Sequence, residues 1–198
     1  MRFSVQLHPS SSFSGPADMA DFAQQAEALG YWGIHVPEHI VFGLEQERRM
    51  GATWWEPVVL ATHLTNHTTA LRVIFSIVVL PSHNPVRLAK SLATLDNTSG
   101  GRIDVGVGVG WLEEEFDALG VSFQGRGVRT EEYIRILRTL WTTHPCTFEG
   151  EFCSFHEMSF LPNPSKRLTR RSGSGVASRR QRAALRHSAT GGSRWVSA

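Results

Sequence analysis

The sequence predicts an α/β fold built on a parallel sheet. Three observations carry that prediction. Four short apolar or alternating segments are each followed by a stretch of helical spacing. One of them, Leu71 to Leu80, is almost wholly apolar and β-branched, the composition of a strand buried on both faces. Strands that alternate with helices form βα units, and βα units give parallel strands. Two architectures share the pattern, an open doubly wound sheet and a (β/α)8 barrel. Both place ligands at the carboxyl ends of their strands.

The elements follow in order. Arg2 to Leu7 alternates and predicts a short strand. Pro16 opens a helix on which Met19, Phe22, Ala23, Ala26 and Leu29 share one face, and Gly30 suits its C-terminal cap. Gly33 to Val36 is a second strand, stopped by Pro37. Glu38 to Thr53 is polar and without period, which predicts a long loop. A helix is expected from Glu56 to Asn66, and Leu71 to Leu80 is the third strand. The helix after Pro85 carries Leu88, Leu92 and Leu95. Arg102 to Val107 is the fourth strand, and helical segments are expected over Leu112 to Leu119 and Val128 to Trp141. Cys146 to Phe160 predicts short strands around Gly150, outside the main sheet.

Charge divides the chain in two. Residues 1–164 hold all 18 acidic side chains and 11 of the 20 Lys and Arg, whereas 165–198 hold the other nine and no acid. The expected organisation is therefore a folded unit over 1–164 and a basic, irregular or disordered tail over 165–198. No apolar run approaches the ~20 residues of a membrane helix, and the first residues lack a signal-peptide pattern. Cys146 and Cys153, the only cysteines, have no zinc-ligand spacing and are expected as reduced thiols. These features predict a cytoplasmic protein with no metal and no membrane partner. The six tryptophans are not grouped as a stacking platform for nucleic acid, so nucleic acid is not expected as a partner of the folded unit.

Chemistry is sought just after each strand. Glu38 and His39 follow the second strand, where a carboxylate and an imidazole can hold a polar ring and move a proton. The alternative is a surface acid beside a loop histidine. Ser76 lies inside the apolar third strand and needs a partner, either its own sheet or a ligand. Gly106-Val107-Gly108-Val109-Gly110-Trp111 follows the fourth strand. Alternate glycines admit a ligand close to the backbone, and the next helix would aim its N–H groups at an anion. The alternative is a tight strand–helix turn, with Glu113, Glu114 and Glu115 suited to the positive helix end. Arg126 and Arg129 are open to an anion or to ion pairs with Glu131 and Glu132. The other histidines, His83 among them, are expected to be structural or exposed.

Taken together, several of these residues resemble a known family. Gly100-Gly101-Arg102, the glycine-rich Gly106 to Trp111, Glu114-Glu115-Phe116, Gly120, Phe123, Arg126-Gly127 and Glu132 are similar to the signature of luciferase-like oxidoreductases, most of all the branch that uses coenzyme F420. Ala26 to Tyr31, Val36 to His39, Leu80-Pro81 and Asn84-Pro85 add to the resemblance, which covers about residues 1–164. It implies a TIM (β/α)8 barrel of which this chain carries the first four βα units. It implies that Glu38 and His39 sit beside a deazaflavin ring, with His39 as proton donor or acceptor. It implies a non-prolyl cis peptide at Ser76–Ile77 behind that ring, and Val109, Gly110 and Trp111 near the cofactor's phosphate and side chain. The implied reaction is hydride transfer between F420 and a small organic substrate. FMN-dependent monooxygenases share the barrel and are the alternative. In this family the acidic residue is often Asp, so Glu38 departs mildly.

The departure after Pro164 is larger. The family would continue with a Pro-Ile-Trp-Val-Gly-Gly strand and a later Leu-Gly-Asp-Gly-Trp-Val-Pro motif, and neither is present. Read one base out of phase, Arg170 to Gly175 permits Pro, Ile or Val, Trp, Val and Gly, and His187 to Arg194 permits the second motif. A frameshift between Pro164 and Arg170 is the expectation, and the codons there would test it. A genuine polyanion-binding tail is the rival. A half-barrel leaves sheet edges open at the first and fourth strands, which predicts weak folding, a homodimer joined through those edges or aggregation, and with any of these weak cofactor binding and little activity.

Overall fold

The computed structural model describes residues 2–7, 12–165 and 193–195. The elements in order are β1 (Ser4–Gln6), α1 (Pro16–Ala28), β2 (Gly33–Val36), α2 (Leu44–Met50), α3 (Pro57–His67), β3 (Arg72–Val79), α4 (Pro85–Thr98), β4 (Ile103–Gly108), α5 (Glu113–Ala118), α6 (Arg126–Thr142), β5 (Cys146–Phe148), β6 (Phe155–Met158) and β7 (Ser193–Trp195). β1, β2, β3 and β4 lie side by side in that order, each pair parallel. A doubly wound sheet would reverse its strand order part-way, and this one does not. The fold is the succession of the first four βα units of a (β/α)8 barrel.

One apolar core joins sheet and helices. Leu7, Ile34, Val36, Val73, Phe75, Ile103, Val105 and Val107 pack against Met19 and Ala23 of α1, Leu60 and Leu64 of α3, Leu88 and Leu92 of α4, and Ile136 and Leu140 of α6. The alternation of the strands puts these side chains on the helix-covered face. The other face of the sheet is more polar. There Arg72 meets Asp104 at 2.5 Å and donates to the carbonyls of Gly101 and Ile103, and Ser4 Oγ lies 2.8 Å from His35 Nε2. Every buried guanidinium nitrogen of Arg72 thus has an acceptor, as a buried charge requires.

Helix ends follow the sequence. Pro16, Pro57 and Pro85 each stand in a first turn, and Asn84 accepts from the N–H groups of Val86 and Arg87 as the cap of α4. α2 corrects the expected loop over Glu38 to Thr53. It has acidic residues in its first turn and Arg48 and Arg49 in its last, which matches the helix dipole. None of its residues is buried, so it shows no apolar period by which to find it. β5 and β6 form the antiparallel hairpin expected outside the sheet. Cys146 and Cys153 are both free thiols. Among the described residues no helix is long and apolar enough to cross a membrane.

The expectations placed on residues 166–192 and 196–198 lie outside the described residues. β7 corrects two others, since residues 193–195, expected within the irregular tail, form a strand, and the fourth strand, expected to have an open edge, has a neighbour. It pairs antiparallel with β4, Val107 opposite Arg194, so the edge of β4 is not left bare along Gly106 to Gly108. The N–H and C=O groups of an exposed edge accept such a strand without regard to side chains.

Candidate active site

β3 and β4 are out of step at the site. Phe75 stands opposite Val105 and Val78 opposite Val107, so β3 carries one extra residue between them. Such a bulge re-aims side chains. Ser76 and Ile77, joined by a cis peptide, are half-buried there while their neighbours are buried. They open into a hollow of about 270 Å3 at the carboxyl ends of β2, β3 and β4. Its lining is Pro37, Glu38, His39, Trp54, Ser76, Ile77, Val79, Gly108, Val109, Gly110 and Trp111. All seven residues singled out from the sequence, Glu38, His39, Ser76, Ile77, Val109, Gly110 and Trp111, therefore meet at one surface.

Two carboxylate–imidazole pairs hold the hollow, and they cross. Glu38 is 6% exposed, accepts from the backbone N–H of Val79 and meets His83 Nε2 at 2.8 Å. His39 Nδ1 lies 3.1 Å from Glu115 Oε2, while Glu115 Oε1 accepts from the N–H of Ile40 at 2.5 Å and of Val41 at 3.3 Å. The loop after β2 is so tied to the end of β3 by one residue and to α5 by the next. Glu114 adds a third tie, accepting from the N–H of Gly43 at 2.7 Å. Burial pulls the His83 imidazole down, but the bond to Glu38 and the charges of Glu38, Glu56 and Glu115 carry it above its ordinary 6.5. Burial pushes the Glu115 carboxyl up. The bonds from His39, Ile40 and Val41 and the His39 charge more than offset this, so it lies below its ordinary 4.5.

The walls are aromatic. His39 sits edge-on to Trp54, Phe42 and Trp111, with ring centroids 4.7, 5.6 and 6.0 Å away. Trp111 is half open to solvent. The glycines of the loop have a different cause from the close approach of a ligand. A Cβ on Gly108 would lie 2.3 Å from Ile77 Cδ1, and one on Gly110 would lie 2.6 Å from Phe116 Cε2. At Gly110 packing adds to a backbone turn at φ 74° that itself favours glycine, and at Gly108 a side chain would have to displace the tip of Ile77. Glu114 and Glu115, in the first turn of α5, reach back to the β2 loop as well as facing the helix end. Arg126 donates to the carbonyl of Gly110 and stacks on Phe123, and Arg129 donates to Ser122 and stacks on Phe152. Glu132 accepts from the N–H groups of Glu151, Phe152 and Cys153.

Glu115, His83 and Trp54 were not singled out from the sequence as parts of the site. Glu115 lay within the matched signature, but as one of three adjacent glutamates. His83 stood in Pro81-Ser82-His83-Asn84-Pro85, directly after a strand, and that position was the available signal. Trp54 comes from the loop after α2 and carried none.

A model of the luciferase-like monooxygenase family matches residues 1–187. An FMNH2-dependent dimethylsulfone monooxygenase of Pseudomonas fluorescens is 36% identical over 146 residues, 72% of this chain and 38% of that protein. A monooxygenase, RslO1 of Streptomyces bottropensis, superposes with a TM-score of 0.71 at 27% identity, over 83% of this chain and 50% of its own. An F420-dependent secondary alcohol dehydrogenase has the same fold, with a TM-score of 0.67 at 21% identity over 84% of this chain and 50% of its own. The chain spans about half the length of the curated relatives it matches, 55% of an uncharacterized Mycobacterium tuberculosis protein to which it is 31% identical over 72% of its own residues. With the family's pattern running from the first strand to residue 187 and its fold recovered in the sheet, this chain belongs to the luciferase-like monooxygenase family.

Proposed function

We propose that the hollow receives the ring of coenzyme F420 and that this chain serves hydride transfer between that ring and a small organic substrate. The observation that supports the reading is the meeting of Glu38, His39, Ser76, Ile77, Val109, Gly110 and Trp111 around one hollow at the strand ends. Its size, about 270 Å3, lies just under the ~300 Å3 at the low end of ligand pockets. When bound, a deazaflavin supplies the acceptance or donation of a hydride.

The chain's own residues do the rest. Ser76, Ile77 and Val109, all in the lining, would hold and orient the ring by contact. Pro37, Trp54 and Trp111 exclude water from it. His39, anchored through Nδ1 to Glu115, keeps Nε2 for a proton moving to or from the substrate's reacting oxygen. Glu38, committed to Val79 and His83, holds the loop in place from beneath. A second reading, FMN in the same hollow and oxygenation of the substrate, is favoured by the 36% identity to the dimethylsulfone monooxygenase.

Titration of the purified chain with F420 and with FMN, followed by fluorescence, tests both. The expected result is loose but saturable binding, tighter for F420. His39→Gln should leave that binding within about twofold and cut turnover by about 10²-fold or more, the usual scale for a lost general acid or base. No saturation with either cofactor, or full turnover by His39→Gln, would overturn the proposal. Tighter binding of FMN would move it to the second reading.

A further inference from the structure

Glu115 is buried, 4% exposed, and its two oxygens have different tasks. Oε1 faces two backbone donors, the N–H groups of Ile40 and Val41. Oε2 faces Nδ1 of His39 at 3.1 Å. An ionised carboxylate only accepts hydrogen bonds. A neutral His39 can therefore meet it only with the proton on Nδ1. Nε2 then carries a lone pair and has no partner among the described residues. The aromatic neighbours of the ring are Phe42, Trp54 and Trp111, all edge-on. The indole N–H of Trp54 is donated to the carbonyl of Gly51. Among the described residues, Glu115 is the group that discriminates between the two tautomers.

We propose that Glu115 is a positioning residue that sets the tautomer of His39, so that the hollow meets Nε2 as a bare proton acceptor. The consequence for turnover rests on His39 being the proton-transfer group. The tautomer itself does not.

The geometry makes a sharp demand on the amide variant. In Glu115→Gln the carbonyl oxygen must stay with Ile40 and Val41, because an NH2 group there would face two donors. The NH2 group then takes the place of Oε2 and points a donor at Nδ1. The ring must answer as an acceptor, and its proton passes to Nε2. The substitution should invert the tautomer while leaving the fold in place.

Long-range proton–nitrogen correlation spectra of the uniformly labelled, ligand-free chain read this directly. They are taken well above the ~6.5 of an ordinary imidazole, and His39→Gln identifies the signals. The expected wild-type ring is the Nδ1–H form, and the Glu115→Gln ring the Nε2–H form, with the backbone amide spectrum otherwise kept. An Nε2–H ring or an even mixture in the wild type would overturn the proposal. So would a Glu115→Gln variant that folds and keeps the wild-type tautomer. If that variant does not fold, the wild-type spectrum alone decides. An Nδ1–H ring in the wild type together with undiminished turnover by His39→Gln would uphold the role of Glu115 and sink the assignment of His39 in the reaction.

Discussion

At Gly110 the backbone turns at φ 74°, and the space where a side chain would begin is already taken by Phe116 and Val79. Alanine there has two costs, about 1–2 kcal/mol for the left-handed conformation and about 1–3 kcal/mol for overpacking. Gly110→Ala should lower the unfolding free energy by about 2–4 kcal/mol in urea. Gly127 is the control, because a Cβ on it meets nothing within 4 Å and it lies in a helix. Gly127→Ala should be neutral or stabilising by up to about 1 kcal/mol. Equal effects at the two positions would contradict the packing account. The alternating glycines announced a close approach in the sequence, but not what approaches. The closeness of Ile77, Val79 and Phe116 depends on strand register and on the bulge in β3, and neither is written locally. Glu38 and His39 were legible for a simpler reason, since the end of a strand in a βα unit is where a ligand can reach.

One device recurs between elements. A glutamate on a helix accepts from a row of backbone N–H groups in a distant loop. Glu27 of α1 serves Thr69, Ala70 and Leu71 at the entry to β3. Glu115 of α5 serves Ile40 and Val41, and Glu132 of α6 serves Glu151, Phe152 and Cys153 at the bend of the β5–β6 hairpin. Loops that lack their own ladders leave such donors to be satisfied. Glu132 is 2% exposed, and its loss leaves three part-buried donors without their acceptor. Glu132→Ala should cost about 2–4 kcal/mol, at roughly 1–3 kcal/mol per unsatisfied buried group with some relief from water. Hydrogen exchange at residues 151–153 should quicken far more than exchange in β3. Uniform quickening would mean that the hairpin is not held by this residue. Strands and buried helices were legible because burial imposes a period. α2 was not, having no buried face, and the glutamate latches were not, because their partners are backbone groups that carry no residue identity.

Over the whole molecule, the site depends on three parallel strands keeping their ends together, and the two crossed pairs that join them respond to pH in opposite directions. His83 has a folded-state pKa above its ordinary 6.5. Its contribution is present in full below about 6.5 and is lost as pH rises through the higher folded value. Glu115 has a folded-state pKa below its ordinary 4.5. Its contribution is present in full above about 4.5 and is lost as pH falls through the lower folded value. Both contributions are present in full between those limits and fall off outside them, so together they are greatest from about pH 4.5 to 6.5. Difference curves isolate them from every other titrating group. The urea midpoint of the wild type minus that of His83→Gln should be constant below about pH 6.5 and shrink above it. The wild type minus Glu115→Gln should be constant above about pH 4.5 and shrink below it. If the first difference grows as the solution becomes alkaline, the Glu38–His83 pair is not the charged tie described, and the loop bearing His39 must be held to β3 by other means.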